Sequence, residues 1–305
     1  MKTLSLNNSI FLVNPISGKL SLKKKIKIIN NVIRGTKAKV VITSSEKDAK
    51  EKAAKYMQEK NIVVACGGDG LMNIVAHQAI LNNCIMGVFP FGRGNDFASS
   101  LNIFSFNEII KSFKSPNIVK VKYIDVNFKN YRRISLTCAG VGLLSEAASR
   151  ASKIPFLKGI FLYATAAIFS FINLKNHNFN VKFDNQTFSK ELLILAAAAS
   201  QFTGGGMFIA PDALKIKNKF NLLYASKVGR LNAIKLLLGV LTGNHLKHYA
   251  VKNLYAKKLE ISTNENNALA SLVYGDGEYL GQLPVKIQLG NKELKVIVPK
   301  KSWII

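Results

Sequence analysis

The chain has 305 residues, enough for one large domain or two ordinary ones, and its 48% hydrophobic content is enough to fill their cores. This composition excludes a disordered chain, and the absence of repeats with a period of about 20 to 50 residues excludes solenoids and propellers. The chain has 43 Lys and Arg against 17 Asp and Glu, which gives a formal net charge of +26. Such a charge suits binding to nucleic acid, an anionic membrane or a phosphate-rich ligand, although a lysine-rich compositional bias explains it equally well.

Up to about residue 120, short apolar runs alternate with longer segments of helical spacing. The runs SIFLVNP, AKVVIT, NIVVAC and CIMGVFP predict strands, and LKKKIKIINNVI, EKDAKEKAAKYMQEK and LMNIVAHQAIL predict helices. On the first helix, Leu22, Ile26, Ile29 and Ile33 share one face. This alternation predicts a parallel sheet covered by helices. The loops NPISGK, TSSEKD, GGDG and PFGRGND each follow one strand, so they should lie together at the carboxyl edge of the sheet, where ligands bind.

After Tyr123 the pattern changes to many short strand-like runs separated by Gly and Asn turns, which predicts an antiparallel sandwich or barrel. The helical exceptions are 144–152, 159–174 and RLNAIKLLLGVL. We therefore predict an α/β domain over 1–123 and a mostly β domain over 124–292, with the tail 293–305 a candidate to return to the first domain.

Two apolar features bear on location. Segment 159–174 carries no charge over sixteen residues, fewer than the roughly 20 that a membrane span needs, so a buried or interfacial helix is favoured. The N-terminal apolar run is too short for a secretory signal, which predicts a protein that is not exported. Cys66, Cys84 and Cys138 lack CxxC spacing and are expected to be buried thiols in a reducing cytoplasm.

Acidic residues are scarce, yet they cluster in glycine-rich motifs. The glycines of GGDG, followed by a helix, suit a phosphate, but Asp69 would repel a bare anion unless a cation or a hydroxyl lies between them. The alternative is a tight turn in which Asp69 caps the helix. A second loop holds Gly92, Gly94, Asn95 and Asp96.

The third acidic motif is YGDGEYLG, where Asp276 and Glu278 would share one face if the segment is extended. No Walker A loop, protein-kinase glycine loop or zinc motif is present. His245 and His248 are three residues apart but lack a third ligand, which makes a metal site there unexpected.

Taken in order, NPISGK (14–19), GGDGLMN (67–73), GVFPFGRGNDFASSL (87–101), GGGMFIAPDA (204–213) and DGE (276–278) resemble the diacylglycerol kinase catalytic-domain family of lipid kinases. The resemblance implies a nucleotide-binding α/β domain like that of phosphofructokinase and NAD kinase, followed by a β-sandwich domain. It also implies ATP and Mg²⁺ as cofactors, with ATP between the two domains, and a lipid alcohol as acceptor.

The same resemblance implies roles for individual residues. Glu278 would accept the proton of the lipid hydroxyl, Asp69 and Asp96 would hold the catalytic Mg²⁺, and Asp276 would complete the catalytic group. The residues that would bind nucleotide are Asn14, Pro15, Ser17, Gly18, Thr43, Gly67, Gly68, Asp69, Gly70, Asn73, Arg93, Gly94 and Asn95.

Four positions depart from the family pattern. Leu71 and Ile74 replace a threonine and a glutamate after GGDG, and Arg93 replaces a threonine in the second loop, where it could pair with phosphates or block the pocket. Lys217 stands near the position where bacterial family members often have the aspartate of a turn that helps hold a structural Mg²⁺. We therefore expect that Mg²⁺ site to be absent, and we hypothesise that the Lys217 ammonium takes the place of the cation.

The expected function is transfer of the γ-phosphate of ATP to the hydroxyl of a lipid alcohol, of the diacylglycerol or sphingoid type. The basic surface and segment 159–174 predict peripheral association with an anionic membrane on its cytoplasmic face. The alternatives are NAD kinase and a weakly active or inactive homologue that acts as a binding protein. Nucleic acid is not expected as a partner because no recognition motif is present, and homodimerisation is left open.

Overall fold

The computed structural model describes residues 6–143, 145 and 175–300. The predicted segment 159–174, and 144–152 apart from Ser145, lie outside the described residues. The helices are α1 (Leu22–Ile33), α2 (Glu46–Gln58), α3 (Asp69–Asn82), α4 (Asp96–Ser100), α5 (Phe106–Lys114) and α6 (Arg230–Val240). The strands are β1 (Ser9–Val13), β2 (Lys39–Ile42), β3 (Ile62–Gly67), β4 (Ile85–Pro90), β5 (Pro116–Val121), β6 (Ile124–Asn127), β7 (Arg132–Ser135), β8 (Cys138–Gly142), β9 (His177–Phe183), β10 (Gln186–Ala198), β11 (Phe202–Thr203), β12 (Met207–Phe208), β13 (Phe220–Ser226), β14 (Val251–Ala256), β15 (Lys258–Ser262), β16 (Leu272–Gly275), β17 (Glu278–Gln282), β18 (Val285–Leu289) and β19 (Leu294–Pro299).

The chain divides into two compact units. Unit 1 comprises Met1–Val121 and Asn291–Ile305, and unit 2 comprises Lys122–Gly290. The division falls after Val121, whereas the sequence pattern placed it after Tyr123. The tail contributes β19 to the sheet of unit 1, where it pairs with β4 and β5.

Unit 1 is built on a six-stranded sheet in the order β2-β1-β3-β4-β19-β5. The first five of these strands are parallel to one another, and β5 is an edge strand antiparallel to β19. All five residues of β1 are buried, as are five of the six in β3, which is why these strands read as uninterrupted apolar runs. The predicted parallel sheet is confirmed. The loops after β1, β2, β3 and β4 share its carboxyl edge.

Helix α5 was not predicted from the sequence, although a local signal was present. Its N-cap, Ser105, accepts a hydrogen bond from the Glu108 N–H, and the Glu108 carboxylate accepts from the Ser105 N–H, which is a complete capping box. Ile109 and Phe113 are buried on the face that this start sets. The S-x-x-E spacing at Ser105 therefore marks the start of this helix.

Eleven of the strands of unit 2 form one sheet, and every pairing among its described residues is antiparallel. The order is β17-β16-β8-β10-β9-β15-β18-β6-β7, with β13 pairing β10 and β14. The first half of β10 pairs with β9 and its second half with β8 and β13, and the register shifts between Leu192 and Ile194. A single long strand thus joins both layers around a core that includes Phe179, Phe220 and Leu259.

The antiparallel β-sandwich is confirmed, and the barrel alternative is not. Cys66, Cys84 and Cys138 are free and buried, as expected. In the part of the chain that is described, no helix is both long and apolar enough to cross a membrane.

Candidate functional site

The glycine loops after β3 and β4 touch through their backbones. The Gly67 carbonyl accepts hydrogen bonds from the N–H groups of Phe91 (2.9 Å) and Gly92 (3.1 Å). A Cβ atom on Gly92 would lie 2.4 Å from the Gly68 Cα, closer than any real Cβ contact. Gly92 therefore has no room for a side chain, and a Cβ on Gly68 would lie only 3.2 Å from the Gly92 Cα, so the two loops approach closely through glycine backbone.

The Asp69 carboxylate links the two loops. Its Oδ2 accepts from the Asn95 N–H at 2.8 Å and its Oδ1 from the Phe97 N–H at 3.2 Å. Asn95 has a φ of +58°, and its own side-chain oxygen accepts from the Gly92 N–H. The alternative in which Asp69 caps its own helix is wrong, because Gly68 is the N-cap of α3 and Asp69 binds the start of α4 instead.

The NPISG loop after β1 packs on the second glycine loop. Gly18 has a φ of +63°, and a Cβ there would lie 1.8 Å from the Phe91 carbonyl oxygen. Within the loop, the Asn14 side chain accepts from the Ile16 N–H, and the Ser17 hydroxyl donates to the Asn14 carbonyl. Asn14, Ser17 and Gly18 are thus brought to the same edge as Asp69, as the sequence pattern predicted.

The buried side chain of Lys25 fixes the position of this loop, a contact that the sequence did not predict. The side chain is fully buried on α1, and its Nζ donates to the carbonyls of Asn14 and Pro15 (2.9 Å each) and to the Ser17 Oγ (3.1 Å). Burial lowers the pKa of Lys25. The available signal was its position, three residues after Leu22 and four before Ile29, on the predicted apolar face.

Thr43 lies beside this edge but its polar groups are directed to β1. Its N–H and its hydroxyl both donate to the Val13 carbonyl, at 2.9 and 3.2 Å, and the residue is buried. Asp96, in the first turn of α4, is also buried, whereas Arg93 is exposed.

In unit 2 the predicted shared face of Asp276 and Glu278 is wrong. Asp276 (φ +52°) and Gly277 (φ +79°) form the two-residue turn between β16 and β17, so the segment is not extended. The Asp276 carboxylate accepts from the N–H groups of Leu136 (2.7 Å) and Thr137 (2.8 Å), and also from the hydroxyls of Ser135 and Thr137. This aspartate ties the β7–β8 connection to the hairpin. Glu278, the first residue of β17, is exposed.

The turn after GGGMFIAPDA is closed by a lysine, but not by Lys217. The Nζ of Lys122 donates to the carbonyls of Ala213 (2.6 Å), Ile216 (2.5 Å) and Lys219 (3.1 Å). Lys217 itself is exposed. The hypothesis required an ammonium surrounded by backbone carbonyls in this way. Lys122 supplies it from the connection between β5 and β6 rather than from within the turn. Burial lowers the pKa of Lys122 to about 8.

Comparison with known proteins matches both units. The diacylglycerol kinase catalytic domain model matches residues 8–126, and the model of the YegS C-terminal NAD kinase beta sandwich-like domain matches residues 137–298. The chain belongs to the diacylglycerol kinase catalytic-domain family. The recognised resemblance is confirmed, and so is the class of enzyme, a diacylglycerol kinase-type phosphotransferase.

Individual relatives agree with the family models over nearly the whole chain. A diacylglycerol kinase of Bacillus subtilis (strain 168) is 25% identical over 295 residues, 95% of each chain. One of Staphylococcus haemolyticus (strain JCSC1435) is 26% identical and aligns over 95% of this chain and 88% of its own. The crystal structure of a diacylglycerol kinase from Bacillus anthracis str. Sterne superimposes with a TM-score of 0.72 at 15% identity, covering 97% of this chain and 98% of that one.

Within the diacylglycerol kinase family pattern, the departure at Leu71 has a packing explanation. Leu71 is buried, and a Cβ on Gly67 would lie 2.9 Å from its Cδ2, so its side chain fills the space directly under the GGDG loop. Ile74, one turn further along α3, is half-buried. The first apolar replacement therefore supports the loop from inside the fold.

Metal ligands are sparse in the described parts of this kinase-family chain. No group of three or more His, Cys, Asp or Glu side chains in residues 6–143, 145 and 175–300 is arranged to hold a metal ion. His245 is buried with its Nε2 3.0 Å from the Ile209 carbonyl oxygen, and burial lowers its pKa. Mg²⁺ in kinase sites is commonly held by one or two carboxylates together with the phosphates of the substrate.

Proposed function

We propose that this protein is an ATP-dependent lipid kinase that transfers the γ-phosphate to the hydroxyl of a lipid alcohol, of the diacylglycerol or sphingoid type. The observation that carries the proposal is the Asp69 carboxylate, which joins the GGDG and GRGND loops at the carboxyl edge of a parallel sheet. Family membership supplies the reaction class, and this edge supplies a place for the nucleotide.

The edge suits the phosphates of ATP. The first backbone hydrogen bond of α3 runs from the Met72 N–H to the Gly68 carbonyl, so the preceding N–H groups at the positive end of the helix are not part of the helical ladder. Gly68 and Gly92 carry no side chains that would shield them. Asn14, Ser17 and Gly18 flank the same edge, and Arg93 is exposed and available to pair with phosphate oxygens.

Magnesium fits this edge only as a partner of bound nucleotide. Asp69 and Asp96 are the carboxylates of the two glycine loops, and Asp69 already accepts two backbone hydrogen bonds. When bound, Mg²⁺ would neutralise phosphate charge, while the chain's own donors orient the phosphates. We assign Asp96 as the carboxylate that would bind Mg²⁺ and Asp69 as the group that positions the second glycine loop.

Glu278 is the proposed base for the acceptor hydroxyl. Its exposure leaves the carboxylate accessible, and the Asp276–Gly277 turn before it is anchored by the carboxylate of Asp276. Asp276 is accordingly a positioning residue rather than a group that touches the substrate. The +26 formal charge supports an anionic membrane surface on its cytoplasmic side as the place where the lipid is met.

The test is ATP consumption by the full chain with Mg²⁺ and one acceptor at a time: diacylglycerol, sphingosine, ceramide, phosphatidylglycerol or NAD. We expect turnover with diacylglycerol or sphingosine and its loss in Glu278→Gln, with the thermal midpoint unchanged because Glu278 is exposed. Tyr279→Phe, at the neighbouring exposed position on β17, is the matched control and should retain turnover.

Three results would contradict the proposal. Turnover of NAD alone would indicate an NAD kinase. Full lipid turnover in Glu278→Gln would remove this residue from the chemistry. No turnover with any acceptor, despite a folded protein that binds ATP, would indicate an inactive homologue that acts by binding.

A further inference from the structure

Helix α6 presents an apolar face that no other described part of the chain covers. Leu231, Ile234, Leu238 and Leu241 are 79%, 43%, 61% and 43% exposed. Their spacings of three, four and three residues put them on one side of the helix. A continuous exposed row of four large aliphatic side chains is unusual on a protein surface and marks a contact site.

The helix is held in place through a different face. Ala233 and Leu236 are buried in a small cluster with Leu193, Ala225 and Val228. Since this packing fixes the helix on the sandwich, the row of exposed residues is not needed to attach it. Tyr249, which is 75% exposed, accepts a hydrogen bond from the Asn232 side chain and adds an aromatic ring beside the row.

The charges around this face have one sign. Between Asp212 and Glu260 the chain contains no Asp or Glu, but it contains ten lysines and arginines: Lys215, Lys217, Lys219, Lys227, Arg230, Lys235, Lys247, Lys252, Lys257 and Lys258. Arg230 and Lys235 lie on α6 itself and are exposed. Two of the ten form ion pairs with carboxylates among the described residues, Lys215 with Asp212 at 3.1 Å and Lys227 with Glu191 at 3.0 Å, and neither of these two lies on α6.

We propose that this α6 surface, Leu231, Ile234, Leu238, Leu241 and Tyr249 with Arg230 and Lys235, docks the protein onto an anionic lipid bilayer. Apolar side chains flanked by cations and one tyrosine match the boundary between headgroups and acyl chains. With 11 residues, α6 is about 16 Å long against a hydrocarbon core of about 30 Å, so it lies along the interface and does not span it. The inference deepens the proposed function. The role of docking, to bring the enzyme to its lipid acceptor, rests on that function, whereas the binding of the α6 surface to a bilayer does not.

The test is co-sedimentation of the full chain with vesicles of phosphatidylcholine, with and without about one third phosphatidylglycerol. We expect binding to the anionic vesicles that weakens at high salt. Leu231→Ser/Leu238→Ser should lower the partition coefficient by tenfold or more, and Arg230→Gln/Lys235→Gln by about tenfold, because each charge near an anionic surface contributes severalfold. Leu81→Ser, which removes an exposed leucine from α3 in unit 1, is the control and should bind as the parent does.

The outcomes separate this inference from the proposed function. If the α6 variants bind vesicles as tightly as the parent does, the α6 inference is overturned even if lipid turnover is normal. If they lose vesicle binding while no acceptor is phosphorylated by the parent, the docking surface stands and the kinase proposal fails. If light scattering shows a dimer that the leucine variant dissociates, with vesicle binding unchanged, the surface is an interface between copies and the inference is wrong.

Discussion

Replacing Lys122 by methionine is the sharpest test of how the turn around Lys217 is stabilised. The substitution keeps an unbranched side chain of similar length but removes the ammonium that donates to the carbonyls of Ala213, Ile216 and Lys219. Three carbonyl oxygens then lose their donor in a partly buried site. If the turn depends on this ammonium, unit 2 must become less stable.

The magnitude follows from opposing contributions. Hydrogen bonds to a charged group contribute about 1.5–3 kcal/mol each, so three are worth about 4.5–9 kcal/mol before the cost of burying the ammonium. That cost is substantial, since burial lowers the pKa of Lys122 to about 8. Allowing for it, we expect a net loss of about 2–4 kcal/mol in the free energy of unfolding. For a domain of this size the midpoint should fall by about 5–15 °C.

Denaturant and thermal unfolding should be followed for Lys122→Met and for Lys217→Met side by side. Lys217 is exposed, so its replacement should change the free energy of unfolding by less than about 0.5 kcal/mol. A neutral Lys122→Met, or a destabilising Lys217→Met, would refute the assignment of the ammonium. A fall in the midpoint of the parent protein on adding EDTA without nucleotide would also refute it, because the turn would then depend on a metal.

Three further predictions concern other anchors. Lys25→Met should raise the KM for ATP by about tenfold or more and leave the KM for the lipid nearly unchanged, because the NPISG loop loses two hydrogen bonds to its carbonyls. Equal changes in the two KM values would mean a general loss of structure. Asp276→Asn should lower the free energy of unfolding by about 2–4 kcal/mol in a urea titration, because the Asp276 carboxylate accepts hydrogen bonds from two N–H groups and two hydroxyls. Loss of turnover at unchanged stability would instead indicate that Asp276 takes part in the reaction. Burial opposes ionisation of Glu265, but hydrogen bonds from the Asn178 N–H and His177 outweigh it and lower the pKa of this carboxyl. The contribution of Glu265 to stability should therefore be present above about pH 4.3 and lost as the pH falls through the pKa of the folded state. If the free energies of unfolding of the parent and of Glu265→Gln differ equally at pH 7 and pH 3, this prediction is wrong.

Local patterns were enough for the architecture of unit 1. Its strands and helices have distinct hydrophobic periods, and alternation of the two admits few arrangements other than a parallel sheet. The loops with NPISG, GGDG and GRGND had to meet because parallel strands end at one edge. Two local signals were present but unused: the S-x-x-E start of α5, and the Asp-Gly pair at 276–277 that marks a two-residue hairpin turn rather than an extended strand.

Other features were decided only by tertiary structure. The ammonium that closes the turn comes from Lys122, more than ninety residues before the carbonyls it binds, and many lysines in a chain with this composition were candidates for that place. Lys25 looked like one more charge on a lysine-rich helix until the fold buried it beneath the NPISG loop.

The same division holds for α6. Its sequence is apolar on nearly every side, so periodicity predicts a helix but does not say which residues it buries. Only the packing of Ala233 and Leu236 onto the sandwich leaves the row beginning at Leu231 exposed. Periodicity acts between neighbours along the chain and is legible in the sequence, whereas contacts across the fold depend on which of many equivalent side chains the topology brings together.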